Sequence, residues 1–374
     1  MSNSIGLTIP KLTLINALGN IQSVVNNKVV LPILGNVKLD AEDGKLTLTC
    51  TDMDITVSTI IEADIDVEGT LTIPAKNLYD IVKRMPEESI ISIRGDADVS
   101  GQVQIKSKGC RFKLSCIKSD DFPILTRGDM SCEFELEANK LLKLINNPRV
   151  AMSTNEVQYN LCGINLRSDN KTIVATATNG HKLNKTIVDI DAEIVDFPNV
   201  ILPTKLIGLV SKLLDKPTIN VKVMISDVKI CIEYDNTILV SKLIDGKFPD
   251  TTNILPTELI NRMDINREFI IQAISRVSLA CNFKTNEISF SVVDGVLTIS
   301  AQSAENGTGE EDIEIETDFA TLERKFNAKY LIEILSNIDS ENVIFYFNDS
   351  QFKPVTIHGA NADKEVYLIM AING

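Results

Sequence analysis

A chain of 374 residues that repeats one pattern three times, about 125 residues apart, has little freedom in its architecture. DGKLTLTCTD begins at Asp43, DNKTIVATATNG at Asp169 and DGVLTISAQSAE at Asp294, offsets of 126 and 125. A second landmark agrees. IPAKNLYDIVKRM, LPTKLIGLVSKLL and FNAKYLIEIL place Lys76, Lys205 and Lys329 in register, at offsets of 129 and 124. Solenoid units are typically ~20–50 residues, so a period this long means tandem whole domains. The Phe-Pro stretches DDFPILTRGDM (120–130) and GKFPDTTNILP (246–256) read as linkers. They divide the chain into repeats over 1–128, 129–253 and 254–374.

Each repeat opens on a segment of helical periodicity, 11–25, 139–150 and 266–279. In the first, Leu14, Ala17, Leu18, Ile21 and Val25 recur at helical spacing. Alternating runs follow, such as Leu46, Leu48 and Cys50, and end in turn signals. Asp43-Gly44 and Asp294-Gly295 predict tight hairpin turns, with Asp169-Asn170 in the equivalent place. A second helix is expected to start near Pro74, Pro203 or Asn327, proline being suited to a first helical turn. Further alternation closes the repeat, as in Val228, Ile230, Ile232 and Tyr234, or Val343, Phe345 and Phe347. The stretch 310–316 alternates acids with isoleucines, as a half-buried strand does. Two helices with several antiparallel strands make each repeat an α+β domain.

A net charge of −14 taken alone would exclude nucleic acid, but its distribution does not. The predicted helical segments 11–28, 76–85, 139–151, 203–216, 266–282 and 328–338 hold 14 basic and 4 acidic residues. The remainder holds 23 basic and 47 acidic residues. Helix propensity alone would favour glutamate there as much as lysine. A shared basic helix face meeting a polyanion accounts for the bias, because non-specific phosphate contact needs only a field of cations. Acidic surface elsewhere would confine binding to that face.

Catalytic signatures are missing. No P-loop, GxSxG or strand-to-helix GxGxxG occurs, and His181 and His358 have no partner at metal-ligand spacing. An enzyme, a metal and a cofactor are therefore not expected. Seven dispersed cysteines without a CxxC pair predict reduced thiols. With no apolar run of about 18 residues and no signal-like N-terminus, a soluble cytoplasmic protein with no membrane partner is expected. One stretch departs from its sister repeats: TNGHKLN (178–184), against TDMDIT and QSAENGT. With the second linker, the apolar 367–372 and Leu161, it predicts an apolar groove between the second and third repeats.

LPILGN (31–36), FPIL (122–125), NGHKL (179–183) and SKLIDGKFPD (241–250) resemble the bacterial sliding clamps, the beta subunits of DNA polymerase III, along the whole chain. The resemblance implies a head-to-tail dimer that closes six domains into a ring, with helices lining the hole and antiparallel sheets on the rim. It implies that Phe112 and Leu114 meet the partner's third domain around the residue equivalent to Leu279. Lys28, Lys76, Asn155 and Lys205 stand where the family touches DNA, and charge pattern adds Lys143, Arg149 and Lys212. The peptide groove carries over as Leu161, Thr178, Gly180, His181, Lys182, Leu183, Pro249, Ile254, Asn327, Tyr330, Pro354, Leu368 and Met370. In the family it receives Gln-x-x-Leu-Phe peptides from the polymerase III alpha subunit, the clamp loader and repair factors. Asn253 and Asn160 stand where arginine and tyrosine are common, and the chain ends MAING rather than in a Met-Pro-Met-Arg style. The lost arginine removes a charge-assisted donor and the lost tyrosine removes apolar area.

The function expected is that of a non-catalytic processivity factor, encircling double-stranded DNA and tethering the polymerase. The rivals are a DNA-binding protein without ring closure, a tandem-domain scaffold, and a hydrolase with a site in 178–184. A scaffold of the adhesin kind would need an export signal, which is not seen.

Overall fold

Tight turns set the strand pairs. In the computed structural model, Asp43-Gly44 takes φ of +50° and +71°, and Asp294-Gly295 takes +48° and +82°. This left-handed pair is what a two-residue hairpin requires. In the second repeat the turn falls one residue later than expected. Asp169 pairs with Thr172, so the turn is Asn170-Lys171, with Asn170 at φ +55°. The structure describes residues 2–25, 31–190, 197–214, 218–256, 258–348, 350 and 353–372.

The first repeat runs β1 (Ser4–Pro10), α1 (Lys11–Ile21), β2 (Asn36–Glu42), β3 (Lys45–Thr51), β4 (Ile55–Glu62), β5 (Asp64–Val67), β6 (Gly69–Pro74), α2 (Ala75–Arg84), β7 (Ile90–Asp96), β8 (Gln102–Ser107) and β9 (Cys110–Ser115). The second runs β10 (Cys132–Glu137), α3 (Ala138–Arg149), β11 (Gly163–Asp169), β12 (Thr172–Thr178), β13 (Lys182–Asp189), β14 (Val200–Pro203), α4 (Thr204–Leu213), β15 (Asn220–Ile225), β16 (Lys229–Tyr234) and β17 (Thr237–Lys242). The third runs β18 (Arg262–Asn266), α5 (Arg267–Val277), β19 (Glu287–Val293), β20 (Val296–Ser303), β21 (Gly307–Glu314), β22 (Glu316–Thr317), β23 (Thr321–Asn327), α6 (Ala328–Asn337), β24 (Asn342–Tyr346), β25 (Val355–Gly359) and β26 (Glu365–Ile369). Lys76, Lys205 and Lys329 are each the second residue of their helix. The α+β fold expected for each repeat is what forms.

The prolines do not open the helices. Pro74 is extended, with φ −57° and ψ 113°, and α2 begins after it. Pro203 likewise ends β14. The fixed proline φ fits both conformations, and the sheet takes it. Asparagine does the capping in the third repeat: Asn266 Oδ1 accepts from Glu268 and Phe269 N–H at 3.1 and 3.2 Å. Val228 belongs to an exposed turn rather than to a strand, since β16 starts at Lys229.

By packing, the chain divides into two compact units, residues 1–139 with 208–243 and residues 140–207 with 244–374. In the first unit, β5-β1-β7-β8-β9 form one sheet and β10-β15-β16-β17-β4-β3-β2-β6 another. The eight-stranded sheet joins the first repeat to the second through β4 and β17, which pair from Thr59↔Thr237 to Ile55↔Ser241. α1 turns Leu14, Ala17, Leu18 and Ile21 inward. The linker after Phe122 lies on this sheet. Leu125 and Met130 pack on Met224, Cys231 and Val240, and Leu125 N–H donates to Thr56 Oγ1 at 3.1 Å. Lys229 Nζ holds Thr126 O at 3.0 Å.

In the second unit, β14-β11-β12-β13-β26-β25-β24-β18-β22 form one sheet and β21-β20-β19-β23 another. Here β13 and β26 join the second repeat to the third, from Lys182↔Ile369 to Thr186↔Glu365. The core of the third repeat is aromatic. Phe290 lies edge-on to Phe326 at 5.2 Å and tilted to Phe345 at 6.5 Å, all fully buried beneath α5 and α6. Phe290→Ala leaves a cavity there that the paired strands cannot collapse into. It is expected to lower unfolding free energy by about 3–5 kcal/mol, read from the denaturant midpoint; a loss under about 1 kcal/mol would contradict this packing.

Candidate functional site

The loop 178–182 is built by its own side chains. Asn179 Oδ1 accepts from His181 and Lys182 N–H at 3.0 and 2.9 Å. Thr178 Oγ1 donates to Lys182 O at 2.8 Å and accepts from Gly180 N–H at 3.1 Å. Gly180 sits at φ +86°, where glycine carries no steric penalty. The same geometry recurs at 51–55, although the sequences differ. Asp52 Oδ1 accepts from Asp54 and Ile55 N–H at 3.1 and 2.8 Å, and Met53 takes φ +78°. The difference from the sister repeat is therefore one of chemistry and not of backbone. Asp54 and His181 both offer their carbonyl to the neighbouring strand, to Lys242 and Met370 N–H at 2.9 and 2.8 Å, and Asp54 adds a side-chain ion pair with Lys242 at 2.9 Å.

Beside 178–182, in the second unit, lies a cavity of about 630 Å³. Leu161, Thr178, Gly180, His181, Lys182, Leu183, Pro249, Ile254, Pro354, Leu368 and Met370 line it. Asn327 and Tyr330 do not. Asn327 caps α6, accepting from Tyr330 N–H at 3.1 Å. Tyr330 flanks the cavity instead, its ring stacked on His181 at 6.1 Å with Lys182 Nζ 4.7 Å from its centre. Lys182 is buried and also paired with Glu333, so its charge is already answered. Asn253 joins the lining, as do Thr251, Leu255, Pro256, Asn348 and Lys353, which sequence reading did not name individually. Asn253, Thr251, Leu255 and Pro256 belong to the second linker, which did point here; nothing local marks Asn348 or Lys353. Asn160 lies outside it, donating to Lys247 O at 2.9 Å. At the equivalent place in the first unit, Leu125 covers Val240, the counterpart of Leu368.

The basic residues differ in exposure and in partners. Lys76, Lys143, Arg149 and Lys212 are exposed on their helices, and Lys205 is half-buried. Asn155 is exposed and caps the short turn after α3 by accepting from Val157 N–H at 3.1 Å. Lys28 lies outside the described residues. The helix charge count overstates the field. Lys11 is buried, donating to Met85 O at 2.6 Å and to Glu87 at 3.0 Å. Arg276 grips Glu311 through two bonds, and Arg267 Nε donates to Ser340 O at 2.8 Å. Lys143 stands near Glu365, whose carboxyl is raised by burial and pulled back by Tyr367 and Lys143.

Two of the sheet-edge strands carry or adjoin the residues expected at a dimer interface. β9 ends the five-stranded sheet of the first unit, with Phe112 41% exposed and Leu114 half-buried. β21 ends the four-stranded sheet of the second unit, and Leu279, 75% exposed, follows α5 beside it.

Comparison with known proteins decides the family. Models of the DNA polymerase III beta subunit match in order: its N-terminal domain over residues 5–126, its central domain over 135–250 and its C-terminal domain over 252–373. The chain belongs to the bacterial beta sliding clamp family. It is 32% identical to the beta sliding clamp of Pseudomonas aeruginosa, covering 97% of this chain and 98% of that one. With the clamp of Caulobacter vibrioides it shares 31% identity over 92% and 93%. A crystal structure of the Pseudomonas aeruginosa clamp bound to griselimycin superposes with a TM-score of 0.94 at 30% identity, covering 99% of this chain and 100% of that one. The protein is thus a DNA sliding clamp with three clamp domains. No helix among its described residues is long and apolar enough to cross a membrane.

Proposed function

We propose that two copies of this clamp close head to tail around duplex DNA and tether a polymerase through the cavity at 178–183. One observation carries the ring. Each chain makes two of three equivalent junctions, β4 with β17 and β13 with β26, and is left with one edge of each kind, β9 and β21. β9 is the counterpart of β17 and β26, and β21 of β4 and β13, so a second copy supplies what is missing. Carrying the existing registers across sets Leu114 opposite Gly307, Lys113 opposite Thr308, Phe112 opposite Gly309, Arg111 opposite Glu310 and Cys110 opposite Glu311 of the partner copy. The charges agree: Lys106, Lys108, Arg111 and Lys113 lie on or beside β9, and Glu310, Glu311, Asp312 and Glu314 on β21. A head-to-tail interface either closes or grows into fibres, and closure in pairs fits the repeat count.

The clamp does no chemistry in this reading. A closed ring makes escape topological, so phosphate contacts can stay weak enough for sliding, while tethering raises the polymerase's effective concentration. Lys76, Lys143, Arg149, Lys205 and Lys212 supply the contacts, with Asn155 as an uncharged donor. Cytoplasmic location and partner proteins bearing Gln-x-x-Leu-Phe peptides follow from the same reading. Substituting Lys76 and Lys212 by alanine is expected to lower the salt slope of DNA binding by about 1 for each lysine–phosphate pair removed, at every sequence tested. An unchanged slope would remove these residues from the DNA face.

A further inference from the structure

Within the apolar groove the Lys182 charge is already paired with Glu333. Positive charge collects beyond one wall. Asn348 lines the groove and also a second, polar cavity of about 570 Å³, whose lining includes Arg324, Ser291, Thr321 and the exposed Glu323. The Arg324 guanidinium donates to two main-chain carbonyls, Asn348 O and Glu323 O, each at 2.8 Å. Among the described residues no carboxylate lies within ion-pair distance of it. Lys353, exposed at the same wall of the groove, has no such partner either. By contrast Arg262, Arg276 and Lys325 of the same repeat are all matched to acids. A half-buried arginine held by carbonyls keeps its charge and has donors to spare, which is the chemistry that recognises a carboxylate.

We propose that the Arg324 cavity is an accessory subsite for an acidic side chain flanking the peptide in the groove. Asn348 is the shared wall over which the peptide passes, and Lys353 reinforces the field. Asn261 helps to shape the floor, its Nδ2 donating to Phe347 O at 3.1 Å. A clamp of net charge −14 repels acidic partners in general, so a local pair of unmatched cations selects which of them can dock and in which direction.

This inference rests on the groove being a peptide site, and the test separates the two. A Gln-x-x-Leu-Phe peptide is titrated against the full-length protein bare, and with Asp-rich or Lys-rich flanks at either end. The Asp-rich flank at one end is expected to tighten binding by roughly threefold to tenfold at low salt, with the gain fading as salt rises. Arg324→Gln should abolish that gain and leave the bare peptide unchanged, and Arg324→Lys should keep part of it. Should the Gln variant not fold, the flank series on the unchanged protein decides alone. Indifference to an Asp-rich flank at both ends overturns the subsite. So does an equal loss for bare and flanked peptides in Arg324→Gln. If the bare peptide does not bind at all, the groove reading fails and the subsite with it.

Discussion

A clamp carrying Phe112→Asp is expected to sediment as a monomer at micromolar concentration, where the unchanged chain sediments as a dimer. The two junctions made within one chain show why. Leu239 and Tyr367, the counterparts of Phe112, are fully buried where β17 and β26 meet their neighbours. Phe112 is the one left 41% exposed. A carboxylate in that place is desolvated without a partner, beside a strand that already carries Glu310, Glu311 and Asp312. Loss of such a central aromatic anchor weakens association by roughly a hundredfold or more. Leu279→Asp should act alike from the other side. A dimer that survives either change would place the interface elsewhere.

Ile254→Asp is the second large effect. Ile254 lines the groove yet is 43% exposed, so the substitution alters the site without opening the core. A charge on that wall meets the apolar Leu183, Leu368 and Met370, with Lys182 already held by Glu333. Binding of a Gln-x-x-Leu-Phe peptide is expected to fall by about tenfold to a hundredfold while the dimer persists, read by titration and sedimentation. Peptide affinity within about twofold of the unchanged protein would remove this cavity from the partner site.

Much of this was legible in the chain because the repeat is a strong signal. Asp43-Gly44 and Asp294-Gly295 specify their turns chemically, and Lys76, Lys205 and Lys329 mark the same helical position three times. What stayed hidden depends on partners distant in sequence. Lys11 counts as a helix cation until the Met85 carbonyl, far along the chain, is seen to hold its ammonium inside. Arg276 is similar, its charge spent on Glu311. Pro74 fits a strand end as well as a helix start, and only the sheet decides. The groove lining was half visible, since TNGHKL is distinctive, whereas Asn348 and Lys353 enter from a loop of the third repeat that carries no local mark. The unlike sequences TDMD and TNGH hide one loop geometry, because a side-chain oxygen of Asp52 or Asn179 serves equally well as acceptor.

In the proposed ring, two copies close around DNA and hold it by topology. Loading the protein onto closed circular duplex DNA and measuring retention before and after a single cut linearises the circle tests that closure. The ring predicts stable retention on the circle, slow loss even at raised salt, and rapid release by sliding off the ends once the DNA is cut. Equal retention on circular and linear DNA, falling with salt in the same way on both, would contradict it.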